Sequence, residues 1–176
     1  LALLAIATPF IAPYSPTAQD LDNLLADPSP QHLLGTDDLG RDILSRLIHG
    51  APVTLYASFL AVGIAILLGV PVGLIAGFMG GWVDDAISRF LDALLSFPAI
   101  VLAIAVTGAL GIGLTNGMIS VGIVFSPQLA RLVRARTLVV RRELYVDAAS
   151  CFGAPTGRIL WKHVLPNTVP PVIVQG

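Results

Sequence analysis

The chain has 176 residues and a mean hydropathy of +0.84; 55% of them are hydrophobic and only 12% charged, about half the charge of an ordinary soluble domain. That excludes a disordered chain, and a net charge of −1 excludes a uniformly basic nucleic-acid-binding surface. The single cysteine, Cys151, excludes an internal disulfide framework and a cysteine-built zinc site.

From Gly50 to Val83 and again from Ala93 to Ala130 there is no Asp, Glu, Lys, Arg or His. A helix crosses about 30 Å of hydrocarbon with about 20 apolar residues, so the pattern predicts an all-α, polytopic membrane protein. Soluble core helices seldom run this far without a charge, and a cleaved leader would explain residues 1–18 alone. The sequence opens inside an apolar run, Leu1 to Ala12, without an initiator methionine, and is expected to be a fragment of a longer bundle. That run is the expected end of an earlier span.

Residues 13–52 form the next segment. Pro13 through Pro30 carry prolines and little periodicity and predict an irregular connection. In TDDLGRDILSRLIHG, residues 36–50, Thr36 and Asp37 are competent caps, Leu39, Ile43 and Leu47 are spaced four apart, and Gly50 with Pro52 supplies a stop. A short amphipathic helix over 37–49 is expected, lying on the membrane surface. His32 and Asp37 are assigned to capping and loop solvation rather than to a ligand.

A long span is predicted over 53–78. Along it every fourth residue is small: Ala57, Ala61, Ala65, Gly69, Gly73, Gly77 and, just beyond, Gly81. Association in lipid depends on packing, so such a ladder marks a face that another helix approaches closely; Ala61, Ala65, Gly69, Gly73 and Gly77 are its central residues. Pro71 removes one backbone hydrogen bond and predicts a kink. A turn follows over Gly80–Asp92, where Asp84, Asp85 and Asp92 read as solvated turn and capping charges. The second uncharged stretch divides at Gly111–Asn116 into spans over 93–110 and 114–132. Residues 133–167 form a loop, and residues 168–176 begin a further span.

Seven of the ten basic residues, Arg131, Arg134, Arg136, Arg141, Arg142, Arg158 and Lys162, fall between the third apolar segment and the last. The excess of positive charge places that loop in the cytoplasm and residues 13–52 outside. His32, His49 and His163 then lie on opposite sides of the membrane and cannot converge on a metal. The only lysine, Lys162, is followed by His163, so no GxxxxGK[ST] phosphate loop exists. No residue qualifies as catalytic, and no cofactor is expected on this chain. Within the loop, Asp147, Ala148 and Ala149 precede Gly153 at a fixed offset, and Leu165-Pro166 is where the chain is expected to turn back. Small residues on a short helix, followed by a glycine that permits reversal, predict a docking knob.

The spacing D-A-A-x-x-x-G followed by H-V-L-P resembles the Glu-Ala-Ala loop of the membrane subunits of ABC importers. HLLGTDDLGRD, residues 32–42, and GGWVDDAISR, residues 80–89, are similar to the dipeptide/oligopeptide/nickel permease branch, and the likeness runs along the whole chain. Asp147 stands where that family usually has Glu, which shortens the reach of the charge by one methylene. The resemblance implies a type I importer-like helical bundle, usually of six spans, of which this chain would hold about three and the edges of two more. It further implies a second permease subunit, two ATP-binding subunits holding ATP and Mg, and an extracytoplasmic substrate-binding protein, but no nucleic acid. Asp147, Ala148, Ala149, Gly153, Leu165 and Pro166 would belong to the coupling region, and the cargo would be short peptides, nickel or another small solute. The competing reading is an ion-coupled secondary transporter. Such proteins usually place ionisable groups within their spans, and the stretches Gly50–Val83 and Ala93–Ala130 that form the central spans carry none.

Overall fold

The computed structural model describes residues 2–168; the predicted span over 168–176 lies, beyond its first residue, outside the described residues. Among the described residues the regular structure is helical, with one isolated bridge between Thr36 and Asp42. The elements are α1 (Ala2–Ile11), α2 (Ile43–Met79), α3 (Gly81–Leu95), α4 (Ala99–Leu110), α5 (Leu114–Val140), α6 (Leu144–Cys151) and α7 (Thr156–Ile159). A π-helical turn over Leu160–Val164 extends α7, and the chain is helical again to residue 168.

Contacts divide the chain into two units, Leu1–Phe59 and Leu60–Gly176. In the first, α1 and the start of α2 are tied by Thr8 Oγ1 donating to the Ile48 carbonyl at 3.2 Å, and the Tyr14 N–H donates to Ser45 Oγ at 3.0 Å. Residues 13–42 are irregular yet highly ordered by side chain-to-backbone bonds. Thr36, buried, takes the Ala26 N–H at 2.8 Å and donates to the Asn23 carbonyl.

The expected helix over 37–49 is not a separate element. Helical structure starts at Ile43 and passes Gly50 and Pro52 without a stop, entering a single helix of 37 residues. Neither Thr36 nor Asp37 caps it. Asp42 does so, its Oδ2 accepting the Ser45 N–H at 2.8 Å while Oδ1 meets His32 Nδ1 at 3.0 Å. A cap needs a side-chain acceptor over the third helical N–H, and Asp37 is otherwise engaged: it receives the N–H groups of Leu39 and Arg41 at 2.9 and 3.0 Å and pairs with Arg41 and Arg46.

In the second unit α2 and α5 lie side by side. Ala65, Leu129 and Val133 form their shared buried cluster, with Val70, Leu74 and Leu132 packed on it. α2 is unbroken through Pro71 and α5 through Pro127. The predicted turn over Gly80–Asp92 is instead helix α3. The predicted span over 93–110 is interrupted at Ser96–Pro98, where the residue before proline is pushed out of helical geometry. Among the described residues α2 alone is long and apolar enough to cross a bilayer; α3 and α4 meet that test only together, and they are bent by 92°. Asp84 is also not a solvated charge. It is buried and paired with Arg134, whose Nη2 lies 2.7 Å from Oδ2, with Ser88 Oγ at 3.3 Å. Asp92 pairs with Arg131.

Candidate functional site

The ladder meets α5 at intervals of one turn. A Cβ placed on Gly69 would stand 2.7 Å from the Ser126 carbonyl, one on Gly73 2.8 Å from Val133 Cβ, and one on Gly77 2.6 Å from Thr137 Cβ. From the other side, a Cβ on Gly122 would stand 2.6 Å from the Ala61 carbonyl. Contact positions rise together along both helices, so α2 and α5 run parallel, and the close approach lies within this chain. Ala65 is buried at the same seam, and Ala61 is half-buried. Gly81 is exposed at the first position of α3 and makes no such contact.

At the end of α5 the chain makes a tight link through Arg142 and Glu143, whose N–H groups donate to the carbonyls of Val139 and Val140, both at 3.1 Å. Helix α6 follows, with Asp147 in its first turn, where a carboxylate complements the helix dipole. It ends in a Schellman motif: the Gly153 N–H donates to the Ser150 carbonyl at 3.0 Å and the Ala154 N–H to the Ala149 carbonyl at 3.1 Å. Gly153 has φ +76° and open space around it. Its glycine is therefore required by backbone conformation rather than by crowding.

Two faces of α6 differ. Val146 is buried with Val140, Ile159 and Val164, and Ala149, Leu74 and Phe78 pack on the same cluster, which seats the knob on the ends of α5 and α2. Asp147 and Ala148 are exposed. One turn to either side of Ala148, Leu144 is 85% exposed and Phe152 92%; Trp161, in the π-helical turn after α7, is 74% exposed. This apolar crown was not among the predicted site residues, although Leu144, Ala148 and Phe152 are spaced four apart, a helical period visible in the sequence. Leu165 is half-buried and Pro166 exposed, and the chain does not turn at them. Helix continues through both, because the π-helical turn just before them accommodates the N–H that proline lacks.

Among the described residues no three His, Cys, Asp or Glu side chains gather as a metal site. Outside the knob, the carboxyl of Asp37 is raised by burial but more strongly lowered by the N–H groups of Arg41 and Leu39 and by the Arg41 guanidinium, which together hold its pKa at about 2.

Residues 69–175 match the family described as binding-protein-dependent transport system inner membrane component. The chain is 43% identical over 174 residues to the dipeptide transport system permease protein DppC of Alkalihalophilus pseudofirmus, covering 99% of this chain and 57% of that protein. It is 41% identical over 174 residues to the probable D,D-dipeptide transport system permease protein DdpC of Escherichia coli K12, with 99% and 58% covered. To the glutathione transport system permease protein GsiD of Escherichia coli O6:K15:H31 it is 45% identical over 175 residues, again covering 99% and 58%. The chain thus spans less than two thirds of the length of these relatives.

Proposed function

Because this chain belongs to the family of binding-protein-dependent transport system inner membrane components, we propose that it forms part of the translocation pathway of an ATP-driven importer and receives the ATPase stroke through α6. Its cargo is a short peptide, by the dipeptide and glutathione substrates in its relatives' names. Beside it stand a second permease subunit, two ATP-binding subunits carrying ATP and Mg, and an extracytoplasmic binding protein. The chain itself hydrolyses nothing, consistent with its lack of a phosphate-binding loop. Residues 13–52 face outward, 133–167 face the cytoplasm, and spans over 53–78 and 114–132 lie in lipid, with α4 returning between them in place of the unbroken span expected over 93–110.

The observation that carries this reading is the two-faced α6. An exposed Asp147–Ala148 surface ringed by Leu144 and Phe152 suits a groove on a partner, while Val146 and Ala149 fasten the helix to α2 and α5. When ATP draws the partner subunits together, a knob so fastened carries the helices above it. Ion-coupled transporters usually place ionisable groups in their spans, and α4 has none.

Replacing Gly153 by Val places a β-branched residue at φ +76°, at a cost of about 1–2 kcal/mol or more. In the full-length transporter reconstituted in vesicles, G153V is expected to insert and assemble but to hydrolyse ATP without uptake; native uptake would refute the coupling role. Orientation has its own test through Cys151, which is exposed. A membrane-impermeant thiol reagent should modify it in inside-out vesicles and not in intact cells, and labelling from outside would reverse the topology.

A further inference from the structure

Arg141 stands where three helices meet. It is the C-cap of α5, its N–H donating to the Thr137 carbonyl at 2.9 Å, and only two residues separate it from α6. Its side chain turns toward the end of α2, where Nη1 donates to the carbonyls of Gly77 at 3.2 Å and Phe78 at 3.1 Å.

Those carbonyls belong to the last turn of α2, where intrahelical donors run out. Ala76 is still served by the Gly80 N–H at 3.2 Å, but at Gly80 the backbone passes to φ +66° and the helix ends. The guanidinium takes over the next two acceptors, and as a cation it also complements the negative end of the helix. It lies directly over Gly80: a Cβ there would come within 3.0 Å of Nη1. Phe78 itself and Leu74, one turn back, pack against the cluster of Val140, Val146, Ile159 and Val164, the floor of the α6 knob. The end of α2 is therefore gripped twice by the segment that leads into α6, through polar contacts at Arg141 and apolar contacts at Phe78.

We propose that Arg141 and Phe78 form a transmission joint through which displacement of α6 moves α2 and α5 together. Arg141 acts here as a positioning residue. This inference rests on the coupling role of α6 and adds the route by which motion leaves it. The α2–α5 seam supports the route, because small residues along it leave no slack between the two helices. The link through Arg142 and Glu143 is likewise bonded at each step.

The test uses the full-length permease with its partner subunits in vesicles and reads ATP hydrolysed per substrate imported, with radiolabelled dialanine or glutathione, whichever the wild type accumulates. R141Q should assemble and raise that ratio about tenfold, with R141K intermediate because it retains a charged cap. R131Q breaks another tie between α3 and α5, the exposed Arg131–Asp92 pair ten residues before Arg141 along α5, and should leave the ratio unchanged. F78A trims the apolar grip and should raise the ratio as R141Q does. A native ratio in assembled R141Q or F78A overturns the joint, as does an equal rise in R131Q. Failure of both variants to assemble also overturns it, by assigning the contacts to folding alone. G153V separates the two levels: if it imports normally, the coupling role itself fails, whereas uncoupling in G153V with a native ratio in R141Q removes only the joint.

Discussion

The loop before α2 and the crossing of α2 with α5 solve the same problem by opposite means. Over residues 13–42 there is almost no apolar packing, and order comes from carboxylates and hydroxyls turned onto the backbone: Asp20 accepts from Asp22 and Asn23, Asp37 from Leu39 and Arg41, and Thr36 from Ala26. At the crossing the contacts are those of glycine and alanine against Val133, Thr137 and the α5 backbone. Under the proposed topology the first region meets water and the second lipid. In water a polar lattice replaces solvent hydrogen bonds and needs charges to hold it. Lipid offers no hydrophobic drive between helices, so closeness itself must supply the attraction. The loop should therefore answer to charge and pH, and the crossing to volume.

The strongest way to break this contrast is to enlarge the seam. Gly73→Leu adds a branched side chain where even a Cβ would stand 2.8 Å from Val133 Cβ and closer still to the Ala130 carbonyl. Overpacking of this kind costs about 1–3 kcal/mol and sometimes more, and the upper end is expected because a backbone atom, not a flexible side chain, is in the way. Thermal unfolding of the full-length protein in detergent should show a clear loss of midpoint, together with a lower folded yield. An unchanged midpoint would mean that α2 and α5 are not held by their closeness.

The complementary change acts on charge and leaves volume alone. The Asp37 carboxyl titrates near 3.8 when unfolded and at about 2 in the folded loop. A carboxyl whose folded pKa is lowered contributes stability fully above the unfolded value and loses it as pH falls toward the folded one. Residues 13–42 should thus become sensitive to pepsin between pH 3.8 and about 2. Asp37→Asn should flatten that dependence, while the α2–α5 seam stays protected over the same range. A loop equally resistant at both ends of the window would show that its ion pairs with Arg41 and Arg46 do not hold it.

What the sequence discloses follows the same division. The face of α2 that meets α5 is written as a period of four, and the end of α6 as a glycine at a fixed offset, because both depend on residues close together along one helix. The α2 cap is different. TDDLGRD offers three acidic candidates, and the choice falls on Asp42 through His32, ten residues upstream. Similarly, nothing local in GWVDDAISR says that Asp84 will be buried, since its partner Arg134 lies fifty positions away. The break before α4 had a local sign in Pro98, but the uncharged run around it reads as one span. Arg141 was legible only as a basic residue of a cytoplasmic loop. Its service to the end of α2 requires knowing that two helices end side by side.

The smallest expected effect sharpens the contrast from inside the seam. Thr137 faces Gly77, is fully buried, and its Oγ1 has no hydrogen-bond partner among the described residues. Leaving such a hydroxyl unpaired is costly, whereas an apolar group of the same shape removes the cost without changing the volume. Thr137→Val should accordingly stabilise the protein by about 1 kcal/mol, read as a raised unfolding midpoint. Because the branched outline is preserved, the Gly77 contact survives, and the gain isolates polarity from packing at one position. If T137V instead lowers the midpoint, the hydroxyl has a partner in the assembled membrane protein, and the seam is polar as well as close.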